Sequence, residues 1–117
     1  MRNNENITAN SMVFRIKADF LKSLARPARL AIVEHLRKKR ELSVGQMVND
    51  LRIEQSGLSK HLVALRQAGI LTCRQERTTV YYSIKNRDIF NVLRPIAEIL
   101  RKRLKESEHL LNILGKT

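Results

Sequence analysis

The apolar positions of this chain change their spacing as the chain advances, and each change marks an element. From Ser11 onward, Met12, Ile16, Phe20 and Leu24, joined by Val13, Phe14 and Leu21, recur at helical intervals and predict a first helix. Ala25-Arg26-Pro27 interrupts it. Proline there suits the first turn of a second helix, in which Leu30, Ile32, Val33 and Leu36 are apolar and which closes in Arg37-Lys38-Lys39-Arg40. Between Leu42 and Ala68 two short amphipathic helices are expected, joined by a polar turn of four residues. Ser43 caps the first, whose apolar face is Val44, Met47, Val48 and Leu51. Leu58, Leu62 and Leu65 stripe the second, and Gly69 ends it where a left-handed residue costs least. Two helices joined in this way describe a helix-turn-helix.

Beyond Gly69 the helical period gives way to near alternation. Ile70 to Glu76 and Thr79 to Lys85 are β-branched and aromatic runs separated by Arg77-Thr78, which reads as a β-hairpin wing. The turn contains no Gly, Asn or Asp, so a longer, mobile tip is expected in preference to a tight two-residue turn. From Asn86, read as a cap, a long helix carries Ile89, Leu93, Ile96, Leu100, Leu104, Leu111 and Leu114 at coiled-coil-like spacing. Pro95 inside it removes one backbone hydrogen bond and should kink it. This helix has too much apolar surface to stand alone. A homodimer interface through Leu93, Ile96, Leu100 and Leu104 is the leading reading, and packing within one chain is the alternative.

Composition narrows the class. A chain of 117 residues supports one modest core, and five aromatics with no Trp make that core aliphatic, which favours helix packing. The expected fold is mainly α with a small β-hairpin, a winged helix-turn-helix made dimeric through its terminal helices. Residues 1–10 are polar and read as a flexible arm, 11–85 as the DNA-binding domain and 86–117 as the dimerisation helix. Twenty-three Lys and Arg against eleven Asp and Glu leave a formal charge of +12, which points to a polyanionic partner, although a basic surface also keeps a protein soluble. No run approaches the length of a membrane span, the N-terminus lacks the apolar core of a signal peptide, and a single cysteine, Cys73, suits a reducing compartment. A cytoplasmic protein with no membrane partner is expected.

The outward residues of the second helix-turn-helix segment locate the candidate chemistry. Gln55, Ser56, Ser59, Lys60 and His61 are hydrogen-bonding groups rather than the Glu/Lys mixture of an ordinary solvated face, as base readout requires. Gln can pair with adenine bidentately and Lys with guanine. Arg66, and Arg74 and Arg77 on the wing, are candidates for phosphate contact, where counterion release rewards any nearby cation. Gly57 costs about 1 kcal/mol of helix propensity relative to Ala. That suggests either close approach to the DNA backbone or a neighbouring helix, or a tolerated defect. The basic run Arg37 to Arg40 also complements a helix C-terminus without any partner.

Four local strings, in order, resemble the ArsR/SmtB family of winged-helix repressors over about Phe20 to Ile84. Leu24-Ala25-Arg26-Pro27-Ala28-Arg29-Leu30-Ala31-Ile32 is similar to that family's LADPTRLRIL helix entry. Glu41-Leu42-Ser43-Val44-Gly45-Gln46-Met47 is similar to its ELCVCDL segment, Gln55 to Leu62 to its QSTVSHHL recognition helix, and Val80-Tyr81-Tyr82 to the end of its wing. The resemblance implies a dimeric repressor that binds an inverted repeat and releases it when an inducer binds. It also implies that Arg101, Lys102, Arg103 and Lys105 form a solvated face away from DNA.

The departures from the family pattern bear on the inducer. Where metal-sensing members carry cysteines in the ELCVCDL segment, this chain has Ser43 and Gly45, so that thiolate site is missing. Asp88 lacks a nearby His, and Glu106, Glu108 and His109 form only a loose group. His35 reads as structural, and one thiol per chain, Cys73, cannot form a disulfide within a monomer. No cofactor or metal is expected, and the inducer is left unnamed by the residues. Enzyme chemistry is not indicated, since no phosphate loop, paired metal-ligand motif or nucleophile elbow is present and the three histidines are scattered. The competing reading is a nucleoid-type protein that binds double-stranded DNA without sequence preference.

Overall fold

The computed structural model describes residues 8–115, so most of the expected N-terminal arm lies outside the described residues. The order of elements is α1 (Met12–Leu24), α2 (Pro27–Lys39), β1 (Glu41–Ser43), α3 (Val44–Leu51), α4 (Gln55–Gln67), β2 (Leu71–Glu76), β3 (Thr79–Ile84) and α5 (Ile89–Gly115). The chain divides into two compact units, Met1–Lys85 and Asn86–Thr117.

In the first unit the leucine stripes become a core. Ile32, Val33 and Leu36 of α2, Met47 of α3, and Leu58, Leu62 and Leu65 of α4 are at most 1% exposed. Among the described residues no polar or charged side chain is buried, so this core is assembled wholly from aliphatic contact. Pro27 occupies the first turn of α2. There its missing N–H costs nothing and its fixed φ suits the helix. Along α1 only Leu24 is buried, and the rest of the expected stripe, from Met12 to Leu21, stays in solvent.

The sheet differs from the sequence reading in two ways. First, it has three antiparallel strands in the order β1-β3-β2, because Glu41–Ser43 is a short strand paired with Tyr81–Ser83 before Ser43 caps α3. Three residues are too few to show alternation, so that strand was invisible to periodicity. Second, the wing tip is tight. Glu76 pairs with Thr79, leaving Arg77 and Thr78 as a two-residue loop. Arg77 alone of the two takes a positive φ, 59°, the pattern of a II′ turn. The register of the flanking strands, from Leu71 opposite Ile84 outward, imposes this turn without help from a glycine, at the cost of placing Arg in a region that L-residues rarely adopt.

In the second unit α5 begins at Ile89, three residues later than the cap expected at Asn86, whose Oδ1 instead accepts from the Asp88 N–H at 2.9 Å in the turn that precedes the helix. α5 then runs from Ile89 to Gly115 as one helix through Pro95. Ile89 and Phe90 are buried, and the remaining apolar positions after Leu93 are exposed.

Candidate nucleic-acid interface

α3, its turn and α4 are positioned by local chemistry at each end. Ser43 and Gln46 form a capping box: the Gln46 N–H donates to Ser43 Oγ at 3.2 Å and the Ser43 N–H donates to Gln46 Oε1 at 2.8 Å. α3 ends at Arg52, whose φ of 54° and ψ of 44° are left-handed. The connecting turn is therefore Arg52-Ile53-Glu54, three residues rather than four, because Gln55 already belongs to α4. α4 closes in a Schellman motif. The Ile70 N–H donates to the Leu65 carbonyl at 2.9 Å and the Gly69 N–H to the Arg66 carbonyl at 3.0 Å, with Gly69 at φ 78°.

With Leu58, Leu62 and Leu65 turned inward, helical spacing places Ser56, Lys60 and Val63 opposite the core, with Ser59 beside them. Gln55, Ser56, Ser59 and Lys60 are all exposed. Ser56 Oγ donates to Glu54 Oε1 at 3.0 Å, which leaves the hydroxyl oxygen as an acceptor. Val63, 51% exposed, is a member of this face that the sequence reading passed over, although its offset from the leucine stripe was visible in the helical spacing.

His61 occupies a different flank from the other four. It is half-buried, and its Nδ1 accepts a hydrogen bond from Arg29 Nε at 3.1 Å. Burial, and then the positive charges of Arg29 and Arg26, hold its pKa below the ordinary histidine value of 6.5. Gly57, one turn earlier on that flank, approaches nothing: a Cβ there would meet no atom within 4 Å. Close packing against a neighbouring helix of the same chain is thus not what the glycine serves.

The wing residues also separate. Arg74 is held by Glu41 through Nε at 2.7 Å and Nη2 at 2.8 Å, donates to Glu76 through Nη1 at 2.8 Å, and lies 4.7 Å from the centre of the Tyr81 ring. These hydrogen bonds, Glu41 first, raise the arginine pKa further, and the same contact holds the Glu41 carboxyl below its usual value. Arg77 at the tip is exposed, its carbonyl accepting from Gln75 Nε2 at 3.1 Å. Arg66, also exposed, borders a shallow cavity with Val63, Gln67 and Tyr82. His35, read as structural, pairs through Nε2 with Asp50 Oδ2 at 2.8 Å, joining α2 to α3. Among the described residues no group of three or more His, Cys, Asp or Glu is arranged to hold a metal ion.

The fold and the outward face of α4 define a winged helix-turn-helix protein. A family model described as a helix-turn-helix domain matches residues 24–74. The chain is 36% identical over 103 residues to Rv0081 of Mycobacterium tuberculosis, named as an uncharacterized HTH-type transcriptional regulator, a match that spans 87% of this chain and 90% of that protein. The crystal structure of Rv0081 aligns with a TM-score of 0.75 over 83% of this chain and 97% of the other. PagR of Bacillus anthracis, named as a transcriptional repressor, is 38% identical over 82 residues, 68% of this chain and 82% of PagR, and its crystal structure aligns with a TM-score of 0.63. A transcriptional repressor SmtB homolog of Synechocystis is 29% identical over 85 residues, 73% of this chain and 64% of that protein. The chain belongs to the ArsR/SmtB family of winged helix-turn-helix transcriptional regulators, and its family resemblance extends beyond the helix-turn-helix itself. Among the described residues no helix is long and apolar enough to cross a membrane.

Proposed function

We propose that this regulator acts as a homodimeric repressor that lays two copies of α4 into successive major grooves of an inverted-repeat operator, about 34 Å apart. The observation that carries this reading is the division of α4. Leu58, Leu62 and Leu65 are at most 1% exposed, while Gln55, Ser56, Ser59 and Lys60 present donors and acceptors to solvent. Gln55 and Lys60 supply bidentate-capable groups, Ser56 and Ser59 short ones, and Val63 an apolar surface for a thymine methyl. His61, with Nδ1 engaged by Arg29, contributes at most its other ring nitrogen. Phosphate contacts fall to Arg77 and Arg66, whereas Arg74 is neutralised by Glu41 and Glu76.

Dimerisation is supported by the apolar surface that a single chain leaves in water. On α5 Ile96 is 46% exposed, Leu100 48% and Leu104 71%, beside a half-buried Leu93. On α1 Met12 and Ile16 are at least 60% exposed. Surfaces of this kind on a soluble protein mark an interface. Residues 86–117 serve as the dimerisation helix in this reading and 11–85 as the DNA-binding domain. The names of PagR and of the SmtB homolog favour repression. The protein works in the cytoplasm, where the chromosome is, without catalysis or a resident cofactor.

Selection of bound duplexes from a random pool, with purified reduced protein, tests the proposal. An enriched inverted repeat with half-sites one helical turn apart supports it. Salt-sensitive binding with no enrichment favours the nucleoid-type alternative that the charge of +12 permits.

A further inference from the structure

The junction of α1 and α2 carries two cations, Lys22 and Arg26, that none of the hydrogen bonds above employs. A cavity of about 590 Å³ opens there, lined in part by Asp19, Lys22, Ser23, Arg26, Pro27 and Arg29. Arg29 is committed, donating through Nη1 to the Ser23 carbonyl at 3.1 Å and through Nε to His61. Lys22 and Arg26 are exposed and, among the described residues, form no side-chain hydrogen bond or ion pair. Three positive groups thus line one cleft with a single carboxylate, Asp19, among them. Their mutual repulsion is relieved by an anion placed between them.

The position of the cleft says which anion. The Arg29–His61 hydrogen bond ties it to α4, and both α1 and α2 pack against that helix. Gly57 lies one turn from His61 on the same flank, where it leaves open space instead of a side chain. A duplex with α4 in its major groove brings a phosphate strand along each flank of the helix. On one flank stand Gln55, Ser59 and Arg66, and on the other this cleft, reached past the gap at Gly57.

We infer that the α1–α2 cleft is a second DNA-backbone site, in which Lys22 and Arg26 hold a phosphate of the strand bordering the groove that α4 enters. The inference rests on the reading of α4 as the recognition helix. It assigns sequence-independent affinity to a part of the fold outside both the helix-turn-helix and the wing.

Affinities of the wild type, Lys22→Gln, Arg26→Gln and the double variant, measured between 50 and 200 mM salt on a selected duplex and on a random duplex of equal length, test it. Each lost phosphate contact should flatten the dependence of log K on log salt by about 0.9. Because Lys22 and Arg26 share one phosphate and a dimer carries two such sites, wild-type affinity should fall about twelvefold more over that range than that of the double variant, with each single variant in between. The preferred bases should stay the same, and Asp19→Asn should strengthen binding to both duplexes. Lys102→Gln on α5 removes a charge elsewhere and should leave the slope unaltered, and thermal midpoints report folding throughout. Variants that keep the wild-type slope, or an Arg26→Gln that changes the preferred bases, overturn the cleft assignment. A wild type that binds neither duplex overturns the recognition-helix reading itself.

Discussion

Arg74 and Glu41, on strands separated by β3, meet through two hydrogen bonds of 2.7 and 2.8 Å. Under the proposed function the wing thereby offers DNA one free cation fewer than its sequence suggests. Arg77→Ala should weaken binding to all sequences about equally and reduce the salt slope of the dimer by about 2, one contact per protomer, whereas Arg74→Ala should leave the slope at its wild-type value. Binding isotherms at several salt concentrations check this, and a slope loss confined to Arg74→Ala would reverse the two assignments.

Gln55 is exposed as the first residue of α4, at the end of the helix where a recognition helix meets base edges. Gln55→Ala should relax preference at one position of each half-site at a cost of about 1 to 3 kcal/mol. A uniform loss of affinity with the preferred bases unchanged, read from repeated selection, would place the helix in a different register.

Leu100 is 48% exposed on α5, and Leu104, Leu111 and Leu114 beyond it on the same helix are more exposed still. Leu100→Asp should give a monomer in sedimentation and remove tight operator binding. A variant that sediments as a dimer would refute the interface.

His61 gives the stability a pH dependence of definite sign. Its pKa is below 6.5 in the folded chain, so between the two values the unfolded chain binds more protons. The contribution is present above about pH 6.5 and lost as the pH falls through the lowered value. Thermal midpoints from about pH 8 down to pH 5 should fall more steeply for the wild type than for His61→Gln, and parallel curves would contradict this.

Gly57→Ala should raise stability by up to about 1 kcal/mol, since the new Cβ meets nothing within 4 Å and the helix gains propensity. Thermal unfolding measures the gain. A destabilised variant would mean that the glycine serves the fold.

Much of the scaffold was legible because it depends on neighbours in the chain. The Ser43 cap, Pro27 in the first turn of α2, the left-handed Gly69 and the leucine stripe of α4 are each satisfied by partners a few residues away, and periodicity records them. The wing tip misled because its turn chemistry argued one way and the pairing of Leu71–Glu76 with Thr79–Ile84 prevailed. Arg52 ends α3 in the left-handed region, and no residue type at that position announced it.

The candidate site was legible as a face but not as a set of available groups. The sequence by itself determined which positions of α4 turn outward, the excess of positive charge, and the apolar stripes that exceed what one small core can cover. Only the tertiary structure decided which of those groups are free to meet DNA. Glu41 occupies Arg74 from thirty-three residues away, Arg29 occupies His61 from thirty-two, and Lys22 and Arg26 share a cleft where, among the described residues, neither forms a side-chain hydrogen bond or ion pair. The physical reason is that periodicity follows from backbone geometry within one element. A charge is free or neutralised according to what the fold brings within hydrogen-bond distance of it.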